Sequence, residues 1–338
     1  MAAKSIQETL FERRLLIVAG KGGVGKTTIA CALGLIATQL GKRTLIAEVD
    51  GAGRAAYLLG VKPADPGEPR EVRPLLAEMS VEGSAALAEY LQIIVPVKRV
   101  IQAVFSSRIY QYFVAAAPGL KELMTIGKIW YEAERIDEVS GQRRWDLVVL
   151  GAPGTGHSLQ YLGMPQAAHE VFRTGLVGRE SKRLLELLTD PQRTAVNLVT
   201  TAEEMPVNET LEMYQRIHDD LGMPLGLLFL NRIHRADFHS KQLDALEHGM
   251  ERLHDERERA VALEALRRAR EELGWTAIND AYRQRLTTEV DMPIVEVPFV
   301  FAEEFGSEQV RAVTAAIESV LLPTASRGVQ RSAKHGRT

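Results

Sequence analysis

The stretch Gly20-Lys21-Gly22-Gly23-Val24-Gly25-Lys26-Thr27-Thr28 decides the fold. It matches the spacing G-x-x-x-x-G-K-[ST], in which a glycine-rich loop cradles phosphate. Its flanks agree. Leu15-Leu16-Ile17-Val18-Ala19 reads as a short buried strand, and Ile29 to Leu40 reads as a helix free of proline. Gly20, Gly22, Gly23 and Gly25 carry no Cβ, so the backbone can wrap closely around an anion. The backbone N–H groups of the loop through Val24 and of the helix start at Lys26, Thr27 and Thr28 then face the phosphates. Lys26 reaches toward the β- and γ-phosphates, and the Thr27 hydroxyl ligates Mg²⁺. The bland alternative is a chance glycine turn before a helix, and it leaves the joint presence of strand, loop and helix unexplained.

Composition narrows the class. At 338 residues the chain has room for one large α/β domain with an insertion. Its apolar fraction of 46% is ordinary for a globular protein. A net charge of −3 gives no electrostatic footprint for nucleic acid. The one cysteine, Cys31, excludes an internal disulfide and a CxxC zinc site, so a cytoplasmic setting is expected. Residues 1–14 contain charges and no apolar core, unlike a signal peptide, and no run reaches the roughly 18 apolar residues of a membrane span. Direct membrane insertion is therefore not expected. Any membrane link would pass through a partner or client.

Further apolar runs alternate with helical stretches. Thr44-Leu45-Ile46-Ala47-Glu48-Val49 reads as a second buried strand ending at Asp50-Gly51, and Leu75 to Val81 as another. Trp145 to Leu150, Thr194 to Thr200, Leu225 to Asn231 and Pro293 to Pro298 complete the set. The alternation predicts a doubly wound, mostly parallel α/β sheet. Pro63 to Pro74 reads as an exposed loop, and a helix is expected from about Gln166 to Leu188. Pro206 suits the first turn of a helix reaching about Leu221, and a closing helix is expected over Ala302 to Leu322. The single domain spans 1–322. It includes a helical insertion at about 83–140, too long for a minimal crossover, and a charged helical segment at about 235–285. In that segment Leu243, Leu246, Met250 and Leu253 form one helix stripe. Residues 323–338 are basic, without acids, and are expected to be disordered.

Lys21, directly after the first glycine, is the deviant Walker A signature. The motif resembles the P-loop family that includes the partition ATPases MinD and ParA, the nitrogenase iron protein, the arsenite pump ATPase ArsA and the targeting ATPase for tail-anchored proteins. One cysteine per chain cannot supply the iron protein's cluster, and the helix ending at Leu322 reads as core packing instead of a MinD-like amphipathic membrane helix. The insertion, Thr155-Gly156-His157 and Asn231 resemble the ArsA and tail-anchored-targeting branch. Ile126-Gly127-Lys128-Ile129-Trp130 and Glu203-Glu204-Met205-Pro206-Val207-Asn208-Glu209-Thr210 look like its single-domain bacterial, anion-transporting-ATPase members.

The resemblance implies several roles. ATP and Mg²⁺ would be the ligands. Lys21 would reach across a nucleotide-sandwich dimer to the partner's nucleotide. Asp50, in the switch I position, would polarise the attacking water, although Asp-Gly is also an ordinary turn. Asn231 and Pro298 would border the adenine. His157 would lie in the switch II loop, with no partner that makes it a general base. One feature departs from the pattern. Where the branch has an aspartate that supports Mg²⁺, the third strand ends Leu150-Gly151-Ala152-Pro153. Asp146 cannot replace it, lying five residues back, roughly 16 Å along a strand. Two functions follow as expectations. One is an ATP-hydrolysing dimer, a homodimer or a heterodimer, coupling nucleotide state to a client through a helical surface, with residues 93–130 as a groove for a hydrophobic or membrane-protein client. The other is a weakly hydrolysing regulatory subunit in a heterodimer with an active paralogue. A MinD/ParA-like positioning ATPase is a lesser alternative.

Overall fold

The computed structural model describes residues 9–51, 53–63, 65–94, 119–250 and 253–322. The expected basic tail at 323–338 and much of the expected client groove, Phe105 included, lie outside these residues. The first unit is β1 (Leu15–Gly20), the loop Lys21 to Gly25, and helix α1 (Lys26–Gln39). The chain continues through β2 (Thr44–Val49), α2 (Arg54–Leu58), β3 (Arg70–Arg73) and β4 (Leu76–Val81). Helices α3 (Gly83–Ile94) and α4 (Leu120–Glu134) precede β5 (Leu147–Gly151). Then come α5 (Thr155–Val171), α6 (Gly175–Leu188), β6 (Thr194–Thr201), α7 (Glu204–Gln215) and β7 (Leu225–Ile233). The last elements are α8 (Ser240–Met250), α9 (Glu256–Glu289), β8 (Ile294–Pro298) and α10 (Ser307–Leu321).

The strands form one sheet in the order β3-β4-β2-β5-β1-β6-β7-β8. All neighbours are parallel except β3 with β4. Alternating side chains divide the core into two halves. Leu15, Ile17, Leu45, Ala47, Val148 and Leu150 pack under α4 to α7. Leu16, Val18, Ile46, Leu147 and Val149 pack under α1 and α10. Burial on both faces is why these strands read as continuous apolar runs. The carboxyl ends of β1, β2 and β5 meet at one edge, where such sheets bind ligands.

Several expectations are corrected. The stretch Pro63 to Pro74 is not all loop, because β3 pairs with β4 as a charged edge strand, with Arg70 bonded to Glu78 at 2.7 Å. Edge strands tolerate such charge. The single helix expected from Gln166 is two helices. The first starts at Thr155 and contains Pro165, and the second begins at Gly175, whose φ is 83°. Strand β7 continues past Asn231 to Ile233, and the closing helix begins at Ser307. In the charged hairpin of α8 and α9, Leu243 is buried but Leu246 is exposed, so the stripe is narrower than its spacing suggests. Among the described residues, no helix is long and apolar enough to cross a membrane.

Candidate functional site

Three backbone demands shape the loop. Gly20 ends β1 at φ 149°, and a Cβ there would run into the Val199 carbonyl of β6. Gly23 and Gly25 take φ 86° and 99°, a region that L side chains rarely adopt. Gly25 is the N-cap of α1 and offers no side chain to its first-turn N–H groups, which leaves them to an anion. A Cβ at Gly25 would also meet the Asn231 amide. Gly22 has open space beside it, and Val24 is buried.

Both lysines of the loop have partners within the chain. Lys26 Nζ donates to the Lys21 carbonyl oxygen at 2.9 Å, across the mouth of the loop. Burial pushes its pKa down to about 8. Thr27 and Thr28 occupy the first turn of α1. Lys21 Nζ pairs with Glu209 of α7 at 2.8 Å.

The next feature escaped the sequence reading. The Thr27 hydroxyl donates to Glu48 Oε1 at 3.0 Å. Glu48 is 6% exposed and its second oxygen accepts from the Ala55 amide at 3.1 Å. A hydroxyl and a carboxylate are hard oxygen donors of the kind Mg²⁺ takes. The loop's free N–H groups, Lys26, Thr27 and Glu48 therefore fit a magnesium–nucleotide pair. The clue in the sequence was a carboxylate inside the otherwise apolar run Thr44 to Val49. A buried acid is rare unless it is paired.

Asp50 follows β2 in the left-handed region at φ 50°. Its Oδ2 accepts a 2.6 Å hydrogen bond from Tyr161 of α5. Burial, reinforced by that carboxylate, raises the Tyr161 pKa further above its ordinary value. The bond ties the end of β2 to the helix that follows β5. Gly151 ends β5, and Gly154, the N-cap of α5, has room for a Cβ only 3.7 Å from the Gly22 amide nitrogen. His157 lies in the first turn of α5. Asp146 is forked to Arg43 at the opposite end of β5, at 2.9 and 3.1 Å.

Asn231 is engaged with the loop itself. Its amide nitrogen donates to the Val24 carbonyl at 2.8 Å, and its oxygen accepts from the Arg232 amide. Pro298 is exposed at the end of β8, opposite Ile233. Beyond it Phe299 stacks on His234 at 4.7 Å. The site residues of β1, α1, β2 and β5 thus converge, while Asn231 and Pro298 stand on the flank formed by β7 and β8.

Residues 13–177 match the family model described as anion-transporting ATPase. The chain is 32% identical to ATPase BagA of Mycobacterium tuberculosis over 226 residues, 65% of each chain. It is 25% identical to the arsenical pump-driving ATPase of Acidiphilium multivorum over 222 residues, 61% of this chain and 36% of that one. A similar match, 24% over 233 residues and the same shares, reaches the arsenical pump-driving ATPase of Escherichia coli. The chain thus spans 65% of the length of the first of these relatives.

Proposed function

We propose that this chain, whose residues 13–177 match the anion-transporting ATPase family model and which is 32% identical to ATPase BagA over 226 residues, is an ATPase of that family that binds ATP with Mg²⁺ and hydrolyses it. The observation that carries this is the cradle at the head of α1. Lys26 lies across the loop mouth, 2.9 Å from the Lys21 carbonyl, and Thr27 sits on the first turn. When bound, Mg²⁺ would neutralise charge on the phosphates. Lys26 and the loop N–H groups would hold the triphosphate, and Asp50 would orient the attacking water. Asn231 would act on the nucleotide by bracing the loop through Val24, with Pro298 beside the base.

The resemblance of Lys21 to the signature lysine supports a dimer as the working unit, with each Lys21 directed at the partner's nucleotide. Nucleotide state would pass to a client or partner through the helices packed on α5, since Tyr161 joins that helix to Asp50. Gly151 favours a second reading, a weakly hydrolysing regulatory subunit paired with an active paralogue. Single-turnover hydrolysis by the purified protein, alone and as Gly151→Asp, decides between them. Turnover by the wild type that the substitution does not increase removes the regulatory reading. Turnover that appears only in the variant removes the self-sufficient ATPase. No nucleotide binding by either protein defeats both.

A further inference from the structure

The ligand edge of β5 lacks a carboxylate at Gly151, and the neighbouring strand brings one to the same place. We propose that Glu48 is the acidic residue of the Mg²⁺ site, a positioning residue that holds the Thr27 hydroxyl and stands in for the aspartate missing from β5. This rests on the reading of the site as an ATP–Mg²⁺ cradle.

Register and parity carry the argument. Glu48 pairs directly with Gly151 across the parallel ladder of β2 and β5. On β2, Glu48 shares its face with Ile46; on β5, Gly151 shares its face with Leu147 and Val149. All three apolar residues pack in the half-core under α1, with Ile29 and Ala30. An aspartate at 151 would therefore project toward the start of α1. Its Cβ would stand 3.9 Å from the Ala30 Cβ. Glu48 starts one strand away, about 4.8 Å off. Its longer arm lets the carboxylate reach the same helix turn, where it meets Thr27 at 3.0 Å.

The arm is held in place from behind. The Ala55 amide donates to Oε2 at 3.1 Å, and a Cβ on Gly51 would overlap the Glu48 carboxyl. Glycine at 51 is thus required by Glu48 and not only by the turn after Asp50. While the Thr27 proton points at Oε1, the hydroxyl oxygen keeps its lone pairs for a cation. A second carboxylate partner of this kind orients a ligand and strengthens it.

A structural role for Glu48, confined to the Ala55 bond, makes a different prediction, and rescue from the adjacent strand separates the two. The affinity of a fluorescent ATP analogue for the full-length protein is measured in EDTA and in Mg²⁺, and the ratio is the metal's share. Glu48→Gln is expected to cut that share about tenfold while affinity in EDTA holds. Adding Gly151→Asp, whose Cβ meets nothing nearer than the Ala47 carbonyl at 3.7 Å, is expected to restore most of it. A full metal share in Glu48→Gln, or no recovery in the double variant, overturns the proposal. If Glu48→Gln does not fold, Glu48→Asp keeps the charge and shortens the arm. It should lose the share equally, and its retention there is equally fatal. A wild type that binds no nucleotide in either buffer defeats the ATP reading itself. One that binds equally well in both defeats the role of Glu48 alone.

Discussion

In the proposed site, Lys26 is a cation buried in advance of the phosphates it would meet. Burial holds its pKa near 8, below the ordinary lysine value. The sign of the consequence follows from proton counts. Above pH 8 the folded, nucleotide-free protein carries Lys26 neutral, while the unfolded chain still binds its proton up to about pH 10.4. Stability owed to this group therefore rises with pH through that window, because a burial cost present below pH 8 is relieved. Phosphate reverses the preference, since it favours the ammonium. Nucleotide affinity should fall about tenfold per pH unit above 8, with uptake of a proton on binding. Calorimetry in buffers of different ionisation enthalpy reads that proton directly. Lys26→Met supplies the control, which should bind weakly and without the pH slope. A wild-type slope that persists in Lys26→Met would assign the titration to another group.

At the level of elements, α4 is fastened to the sheet by a buried acid. Glu132 is fully buried and accepts from Trp145 Nε1 at 3.0 Å, just before β5. The same carboxylate faces Lys128 at 3.6 Å and Arg135 at 3.1 Å. Lys128 is itself buried and keeps Glu89 of α3 at 2.7 Å. Glu132→Ala leaves Trp145 without its acceptor and Lys128 with one partner fewer. Breaking a buried ion network from one side costs about 3 kcal/mol. Urea denaturation of the variant should show a loss of that order, and a loss below about 1 kcal/mol would mean that water or Glu89 compensates. The elements were also what the sequence revealed best. Strands buried on both faces read as apolar runs, so β1, β2, β5, β6 and β7 were legible. Strand β3 was not, because Arg70-Glu71-Val72-Arg73, three of them charged and on an edge, look like the loop around them. The start of α5 was hidden by Pro165, which local rules treat as a boundary but a long helix absorbs. The strand, glycine loop and helix of residues 15–39 were legible because they are contiguous in the sequence. The place of Glu48 beside Gly151 and Thr27 was not, since register is a property of the folded sheet.

For the whole molecule, the two ends of the signature motif would work at different ranges in the proposed dimer. Lys26 Nζ lies on its own chain's loop, bonded to the Lys21 carbonyl at 2.9 Å, whereas Lys21 is the residue that the resemblance directs to a partner. In the single chain Lys21 is paired with Glu209 at 2.8 Å, with both side chains somewhat over one-quarter exposed. A pair so exposed is worth no more than about 1 kcal/mol. It can park the lysine against α7 but cannot hold it against a triphosphate offered by a second subunit. Assembly would then trade one charge partner for a stronger one, and Glu209 would oppose it slightly. Glu209→Gln should therefore tighten the dimer formed with a non-hydrolysable ATP analogue by up to about fivefold, the equivalent of roughly 1 kcal/mol. Lys21→Ala should abolish that nucleotide-dependent dimer while leaving nucleotide bound to the monomer. Sedimentation velocity across a concentration series, with and without the analogue, reads both outcomes. A weaker dimer in Glu209→Gln would mean that Glu209 works in the interface and not against it. An intact dimer in Lys21→Ala would remove the lysine from the interface altogether.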